Sequence, residues 1–389
     1  MRYITKYIKA DMMKITEISE YKKFMDCKPE WENLLSRSRA DNVFLTHDWI
    51  AGCIKHFYAG DRLLILNVFD GADLAGIAPL VIKKSGYFGL PVRTVSFIGT
   101  SISDRMDFIL DGDKKEIIKV IFDHLESIRE EWDLIDLQEL AGYTGNLEYI
   151  ESYVKEKRFV NIAGPVKKSF FINFDKDKDF FVRKFSKKLE ERLKKINNKG
   201  ISLNLEFQRY TSGDINAEEI FSKAQNIEDN SWKGKNESGI FSKDGTRNFH
   251  REILDKFSRN KWIDFSILTL DKKPIAYIYN YLYGGRSYNY SVAFDKNHSI
   301  ISAGTMLMLW ALKDSGSKGI SEFDFARGED SWKTKLTQNF REHNRVRIFK
   351  DEAYSKVLYI LQSRIMPCFK NIKILHSMWM KIKDILKWE

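Results

Sequence analysis

Little in this chain marks it as secreted, metal-bound or membrane-spanning. Its three cysteines, Cys27, Cys53 and Cys368, are an odd set with no CxxC spacing, which argues against a disulfide framework or a thiolate zinc site. The seven histidines contain no HExxH motif and no pair spaced for one helix face, so no metal is expected. No uncharged apolar run reaches the ~18 residues that a spanning helix requires. The amino terminus, MRYITKYIKADMMKI, is basic but lacks an apolar core and a cleavage-like site. A reducing, cytoplasmic setting is therefore expected. Six prolines beside 22 glycines, with 43% hydrophobic residues, exclude collagen, low-complexity fibre and global disorder. There is no GxSxG, no P-loop and no GxGxxG opening a helix after a strand. Hydrolase, NTPase and dinucleotide-binding readings therefore get little support.

What is present is enough apolar chain for sizeable cores. A length of 389 residues suggests two or three domains, at roughly 100–200 residues each. The formal charge of +10 is concentrated in two places. Arg183–Lys199 carries 8 basic and 2 acidic side chains, and Ala353–Glu389 carries 7 and 2, leaving −1 for everything else.

The first half reads as mixed α/β. A strand at Met12–Ile18 precedes helical patterns at Pro29–Ser38 and Thr46–Phe57. Arg62–Phe69 and Leu74–Lys83, joined at Asp70-Gly71, predict a hairpin, because that dipeptide tolerates the positive φ of tight turns. Strands at Thr94–Ile98 and Asp107–Leu110, a helix at Lys114–Ile128 and the strand Trp132–Leu140 follow. The second half repeats the order. Trp262–Leu270 and Pro274–Tyr283 form a hairpin at Asp271-Lys272, followed by a strand at Arg286–Phe294, a helix at Ile301–Asp314 and a strand at Ile320–Phe325. Internal duplication of one α/β lobe is the natural reading, and independent recurrence of a common pattern is the alternative. Between the lobes lie a strand at Ser169–Asn173 and a basic helix with Leu189, Leu193 and Ile196 on one seam. Its cationic face is either a solvated surface or a dock for something polyanionic.

Several segments could carry chemistry. Ser302-Ala303-Gly304-Thr305 opens a helix after a strand, which suits a phosphate or pyrophosphate; alternatively Ser302 is only a cap and Gly304 a packing glycine. In Glu322-Phe323-Asp324-Phe325-Ala326-Arg327-Gly328, alternation sends the two phenylalanines to one face and the carboxylates to the other. Arg327 and Lys333 flank a Gly turn, where they either receive an anion or pair with Glu329 and Asp330. Trp232-Lys233-Gly234 ends a helical stretch, either as a cap or as part of a pocket wall. Tyr288 and Tyr290 share a strand face, as proton donors or as aromatic packing. Aromatic–basic interleaving of the nucleic-acid-binding kind is absent, so such a partner is not expected.

Taken in order, these segments resemble the GNAT-like acyltransferases of the CelD/FemAB-like group, chains with two GNAT-type lobes. The resemblance spans about residues 29 to 340. It is carried by Val43-Phe44-Leu45-Thr46-His47-Asp48-Trp49, Leu74-Ala75-Gly76-Ile77-Ala78-Pro79-Leu80, and Phe97-Ile98-Gly99 with Asp107-Phe108. It continues through the basic helix at Ser186–Lys195, Ser231-Trp232-Lys233-Gly234, Ser302-x-Gly304-x-x-Leu307, and Phe323-Asp324-Phe325-Ala326-Arg327-Gly328 with Trp332-Lys333. Departures are Leu189 or Glu190 for a consensus Arg, Ala303 for Pro, Ala326 for Gly and Trp332 for Tyr. The full (Q/R)xxGxG/A pyrophosphate loop is replaced by Ile300-Ile301-Ser302-Ala303-Gly304-Thr305.

The resemblance implies an α/β fold of two tandem GNAT-like lobes with mixed sheets flanked by helices. The expected division is 1–165, 166–352 and a basic helical tail, 353–389. It also implies an N-acyltransferase that moves an acyl group from acetyl-CoA or a longer acyl-CoA to an amine of an envelope or exopolysaccharide precursor, such as an amino sugar or nucleotide-sugar. Asp324, Tyr290 and Lys333 are its expected catalytic residues. Ser302, Gly304, Thr305 and Arg327 are assigned to the cofactor, and Trp232, Lys233 and Tyr288 to the acceptor. In the FemAB branch the donor is aminoacyl-tRNA, inserted by a coiled-coil arm, for which Asp175–Gly200 is too short. A non-catalytic partner of a membrane polysaccharide synthase is a further alternative. The tail, with Ile372, Leu375, Met378, Trp379, Ile382, Ile385 and Leu386 roughly on one helical face, would make peripheral contact with the inner membrane or synthase, or pack on its own domain.

Overall fold

The structure, a computed structural model, describes residues 13–87, 89–198, 203–211, 216–235, 239–241 and 243–365. In chain order its strands are β1 (Lys14–Ile18), β2 (Arg62–Asp70), β3 (Asp73–Tyr87), β4 (Leu90–Phe97), β5 (Ile109–Leu110), β6 (Leu134–Ala141), β7 (Val160–Asn173), β8 (Leu205–Thr211), β9 (Ile263–Leu270), β10 (Lys273–Tyr283), β11 (Arg286–Phe294), β12 (Glu322–Arg327) and β13 (Phe340–Phe349).

The chain divides into two compact units. Unit 1 holds 13–50, 58–166 and 342–365 among the described residues, and unit 2 holds 51–57 and 167–341. The sequence-based boundaries at 165 and 352 differ from this division in two places. Seven residues of the helix His47–Phe57 group with unit 2, and most of β13 groups with unit 1. Local patterns do not show such exchanges, because they depend on long-range pairing.

In unit 1 the strand order is β1-β2-β3-β4-β6-β13, with β5 against β3. The β2–β3 hairpin turns at Asp70↔Asp73 with Gly71 at φ +61°, as its Asp-Gly predicts. β4 and β6 run parallel, joined by a crossover that contains the helix Lys114–Ser127. In unit 2 the order is β7-β12-β11-β10-β9-β8. Asp271 and Lys272 both take positive φ (49° and 67°) to close the β9–β10 hairpin, a conformation that Gly or Asn would adopt at lower cost. β11 and β12 run parallel, joined through the helix Ala303–Ser317. Hairpin, strand, helix and parallel strand therefore occur once in each unit.

Two layers of helix cover the unit 2 sheet. Ala303–Ser317 and the basic helix Lys178–Asn197 bury a shared core on one face, with Phe185, Leu189 and Ile196 buried and Leu193 partly so. The apolar seam of the basic helix thus belongs to its own unit. Gly316 permits the close approach, since a Cβ there would meet Val182 at 2.9 Å. On the other face, Ala217–Asp229 and Asp244–Arg259 contribute buried residues that include Ala224, Phe249, His250 and Ile253.

Just after β13, the helix Ala353–Ile360 seats Leu358 against Val92, Leu134 and Phe349 of unit 1, and Ser355 Oγ donates to the Asp133 carbonyl at 2.9 Å. This part of the expected tail packs on its own unit. The apolar face expected over Ile372–Leu386 lies outside the described residues. Among the described residues no helix is long and apolar enough to cross a membrane.

Candidate active site in the second unit

The β11–β12 ladder is short. Its parallel pairs run from Arg286↔Glu322 to Tyr288↔Asp324, while β11 continues to Phe294 and β12 to Arg327. The strands part beyond Asp324. On its other side, β11 pairs with β10 through Asn280↔Asn289 and Tyr279↔Ser291, which leaves Tyr290 as the extra residue of a β-bulge. Bulges bend a strand and re-aim its groups, often beside active sites. The Tyr290 ring turns toward helix Asp244–Arg259, 5.1 Å from His250 and 5.1 Å from Tyr281. Tyr288 stands opposite Tyr281, so the expected shared side for Tyr288 and Tyr290 survives the bulge.

The alternation expected of β12 is also present. Phe323 and Phe325 enter the core under Ala303–Ser317, while Glu322 and Asp324 share Arg341. Arg341 Nη1 lies 2.9 Å from Glu322 and 3.4 Å from Asp324, and the guanidinium stacks 3.8 Å from the Phe171 ring. The fully buried Asp324 also accepts the Ala326 N–H at 2.8 Å. Its carboxylate is held in place by these bonds, which suits an orienting group better than a mobile base. Ala326 takes φ +55°, a left-handed conformation at the position where the family pattern has Gly. Lys333 is buried and donates to the carbonyls of Arg327 (2.9 Å) and Ala326 (3.4 Å), with Asp330 at 3.3 Å. It latches the turn after β12, which accounts for its position without an anion. Arg327 is half-buried in the same turn.

Ser302 (φ +54°) caps helix Ala303–Ser317 through its backbone, its carbonyl accepting the N–H groups of Thr305 and Met306. A Cβ on Gly304 would meet Phe294 at 2.9 Å, so that glycine serves strand–helix packing. Thr305 is exposed in the first turn.

The Ser-Trp-Lys-Gly segment has a clear structural logic. Ser231 Oγ donates to the Glu228 carbonyl (2.7 Å) and accepts the Lys233 N–H (3.0 Å). A Cβ on Gly234 would lie 2.6 Å from the carbonyl oxygens of Glu228 and Asp229, so the chain folds back over the helix end only with glycine there. This sends Lys233 Nζ to Ser291 Oγ at 2.8 Å, next to the bulge. Ser291 Oγ lies 2.9 Å from Tyr277 Oη, which donates to Glu228 Oε1 at 2.5 Å. Glu228 also accepts from the N–H groups of Ile240 and Phe241. Burial lowers the Lys233 pKa, and the Glu228 charge partly opposes this. Burial and the Glu228 charge push the Tyr277 phenol well up. Trp232 is 47% exposed and therefore offers a surface ring instead of core packing.

The structure thus pairs Asp324 with Tyr288 across the last rung and brings Lys233 to the residue after Tyr290. Arg327 and Lys333 share the adjoining turn, while Ser302, Gly304 and Thr305 begin the helix that follows β11. Glu228, Tyr277, Ser291 and Arg341 were missed by sequence reasoning. Ser291, a small polar residue in an aromatic-rich strand, was the one local signal. Among the described residues no group of three or more His, Cys, Asp and Glu side chains is placed to hold a metal.

Unit 1 repeats the parting but fills it. β4–β6 pairing covers Thr94↔Leu134 and Val95↔Ile135, after which buried Met106 bridges to Leu140 and donates its N–H to the Glu139 carbonyl at 3.0 Å. Asp107 anchors this segment through Thr144 (2.6 Å), Asn146 (2.9 Å) and the Phe108 N–H (2.8 Å), and burial raises its pKa to about 6.

Residues 183–334 match the family model of the acetyltransferase (GNAT) domain. No curated protein matches the chain in sequence. Among solved structures, FemX is similar with a TM-score of 0.60 at 11% identity, covering 89% of this chain and 100% of its own. A tandem GNAT protein from the clavulanic acid biosynthesis pathway gives 0.52 at 9%, covering 87% and 99%. The C-terminal domain of a putative lysylphosphatidylglycerol synthetase from Agrobacterium fabrum gives 0.51 at 10%, covering 87% and 97%. The fold is a FemAB-like double GNAT fold, and the segment that matches the acetyltransferase (GNAT) domain lies in its second unit.

Proposed function

We propose that the chain is an N-acyltransferase that takes an acyl group from acetyl-CoA or a longer acyl-CoA and places it on an amine of a small envelope or polysaccharide precursor, such as an amino sugar or its nucleotide-sugar. The observation that carries this reading is the parting of β11 and β12 beyond Tyr288↔Asp324, beside the Tyr290 bulge and within the segment that matches the GNAT domain. Parted strands leave room for a slender thioester arm between them. The start of Ala303–Ser317 follows β11 and offers backbone N–H groups and a positive dipole end to the donor's pyrophosphate. Arg327 adds a cation.

In this reading the amine attacks the thioester carbon, the carbonyl oxygen gains negative charge, and the C–S bond breaks as the thiolate takes a proton. Tyr290 or Tyr288 is the proton donor, Asp324 orients the acceptor through its fixed carboxylate, and Trp232 and Lys233 line the acceptor side. Lys333 holds the turn that carries Arg327. Acyl-CoA is favoured over aminoacyl-tRNA because, among the described residues between β7 and β8, there is one 20-residue helix, and its apolar seam is buried in its own unit.

The test mixes the protein with acetyl-CoA and a panel of amino sugars and nucleotide-linked amino sugars, and follows free thiol after RNase treatment. Amine-dependent CoA release is expected. Transfer that occurs only with aminoacyl-tRNA and disappears with RNase would overturn the donor assignment, and no release with any amine would overturn the acceptor class.

A further inference from the structure

Lys233, Ser291, Tyr277 and Glu228 form an unbroken hydrogen-bonded line from a half-buried amine to a buried carboxylate, with steps of 2.8, 2.9 and 2.5 Å. The donors have only one consistent order. Lys233 donates to Ser291, Ser291 to Tyr277, and Tyr277 to Glu228, whose oxygens are otherwise occupied by the Ile240 and Phe241 N–H groups. Every member of the line has its partner, as a buried polar chain requires. Its near end meets β11 at the residue after the bulge, beside the parting of β11 and β12.

We propose that Lys233 is the base that takes the proton from the incoming ammonium group, and that Ser291, Tyr277 and Glu228 are positioning residues that hold the resulting lysine ammonium. This rests on the transferase reading above. The step balances. Neutral Lys233 accepts H⁺ from R–NH₃⁺, and the freed R–NH₂ bonds to the thioester carbon. The C–S bond then breaks, the Tyr290 or Tyr288 phenol protonates the thiolate to give CoA–SH and regains a proton from the attacking nitrogen, and Lys233 returns its proton to water.

Among the described residues, Glu228 on helix Ala217–Asp229 is the charged group that acts on this amine, and its charge favours the ammonium form. On the same face of the sheet stand the phenols of Tyr277, Tyr279 and Tyr281 from β10 and of Tyr290 from β11. His250 from helix Asp244–Arg259 stays neutral in the acid range because burial lowers its pKa to about 3. Burial favours the free amine of Lys233 and the Glu228 charge at the end of the line limits that effect, so this amine gives up its proton more readily than an exposed lysine does.

The experiment is competitive labelling of the full chain with trace acetic anhydride between pH 6 and 11, read by peptide mass spectrometry, so it does not depend on the acceptor. Lys233 is expected to titrate below the exposed lysines and to be enriched over them in free amine at pH 7. Glu228→Gln and Tyr277→Phe should move its titration further down, and Lys233→Met should remove the signal while acetyl-CoA binding by calorimetry persists. If Lys233 titrates with the exposed lysines, or Tyr277→Phe leaves its titration unmoved, the relay is overturned even though acetyl-CoA still binds. If no acyl-CoA binds while Lys233 titrates low, the transferase reading fails instead. Ser291→Ala, which removes one hydroxyl from the line, gives a second test should Tyr277→Phe fold poorly.

Discussion

The Arg341 guanidinium stands 2.9 Å from Glu322 and 3.4 Å from Asp324, so one side chain holds both carboxylates of β12 where that strand parts from β11. Unit 1 has a counterpart in Asp136 of β6, held by Arg345 at 2.7 Å from β13. In both units the parallel strand after the crossover helix carries an aspartate whose charge is answered from the 340–349 segment.

Arg341→Met would leave two buried carboxylates without their cation. The expected loss is about 3 kcal/mol of stability in urea unfolding at neutral pH. Adding Glu322→Gln should restore part of it, because the second variant removes one stranded charge. A loss below about 0.5 kcal/mol would mean that the pair contributes no more than a surface bridge.

Ala326 occupies φ +55° at the turn after β12. Glycine there removes a left-handed strain of about 1–2 kcal/mol, set against an unfolded-chain entropy cost of about 0.5–1 kcal/mol. Ala326→Gly is therefore expected to leave stability unchanged or raise it by up to about 1 kcal/mol. A drop of the melting temperature in thermal unfolding would contradict this.

His250 is buried and neutral, its pKa lowered by burial from 6.5 to about 3. The unfolded chain binds a proton between those values that the folded chain does not. Stability from this site is therefore complete above pH 6.5 and is lost as pH falls toward 3. Between pH 7 and 5 the contribution is about 2 kcal/mol. His250→Phe should flatten the acid limb of a stability–pH curve by that amount, and an unchanged slope would count against it.

Much of the second unit is legible in the sequence because its signals are local. Alternation sorts Phe323 and Phe325 from Glu322 and Asp324, and a 3.6-residue period marks the seam of Leu189, Leu193 and Ile196. Ser231 and Gly234 are read as a motif, and the structure adds why: a hydroxyl that positions the Lys233 backbone, and a carbonyl contact that excludes any Cβ. What escapes the sequence is long-range. Arg341 reaches Asp324 from 17 residues away, Glu228 reaches Tyr277 from 49, and the grouping of β13 with unit 1 follows from its pairing with β6. Gly304 was read either as a phosphate contact or as a packing residue. Its 2.9 Å approach to Phe294 explains the missing side chain by packing, so Gly304→Ala should cost about 1–3 kcal/mol in thermal or urea unfolding even if donor binding is unaffected.

The donor site itself is tested by a calorimetric titration of acetyl-CoA and a longer acyl-CoA into the wild-type chain and Thr305→Glu. Thr305 is exposed in the first turn of Ala303–Ser317, where a new carboxylate repels phosphate yet favours the helix. One acyl-CoA per chain is expected, because Met106 fills the corresponding gap in unit 1. Binding is expected to weaken about tenfold or more in the variant, with no fall in its melting temperature. Absence of heat from every acyl-CoA, or equal affinity in the two proteins, would contradict this.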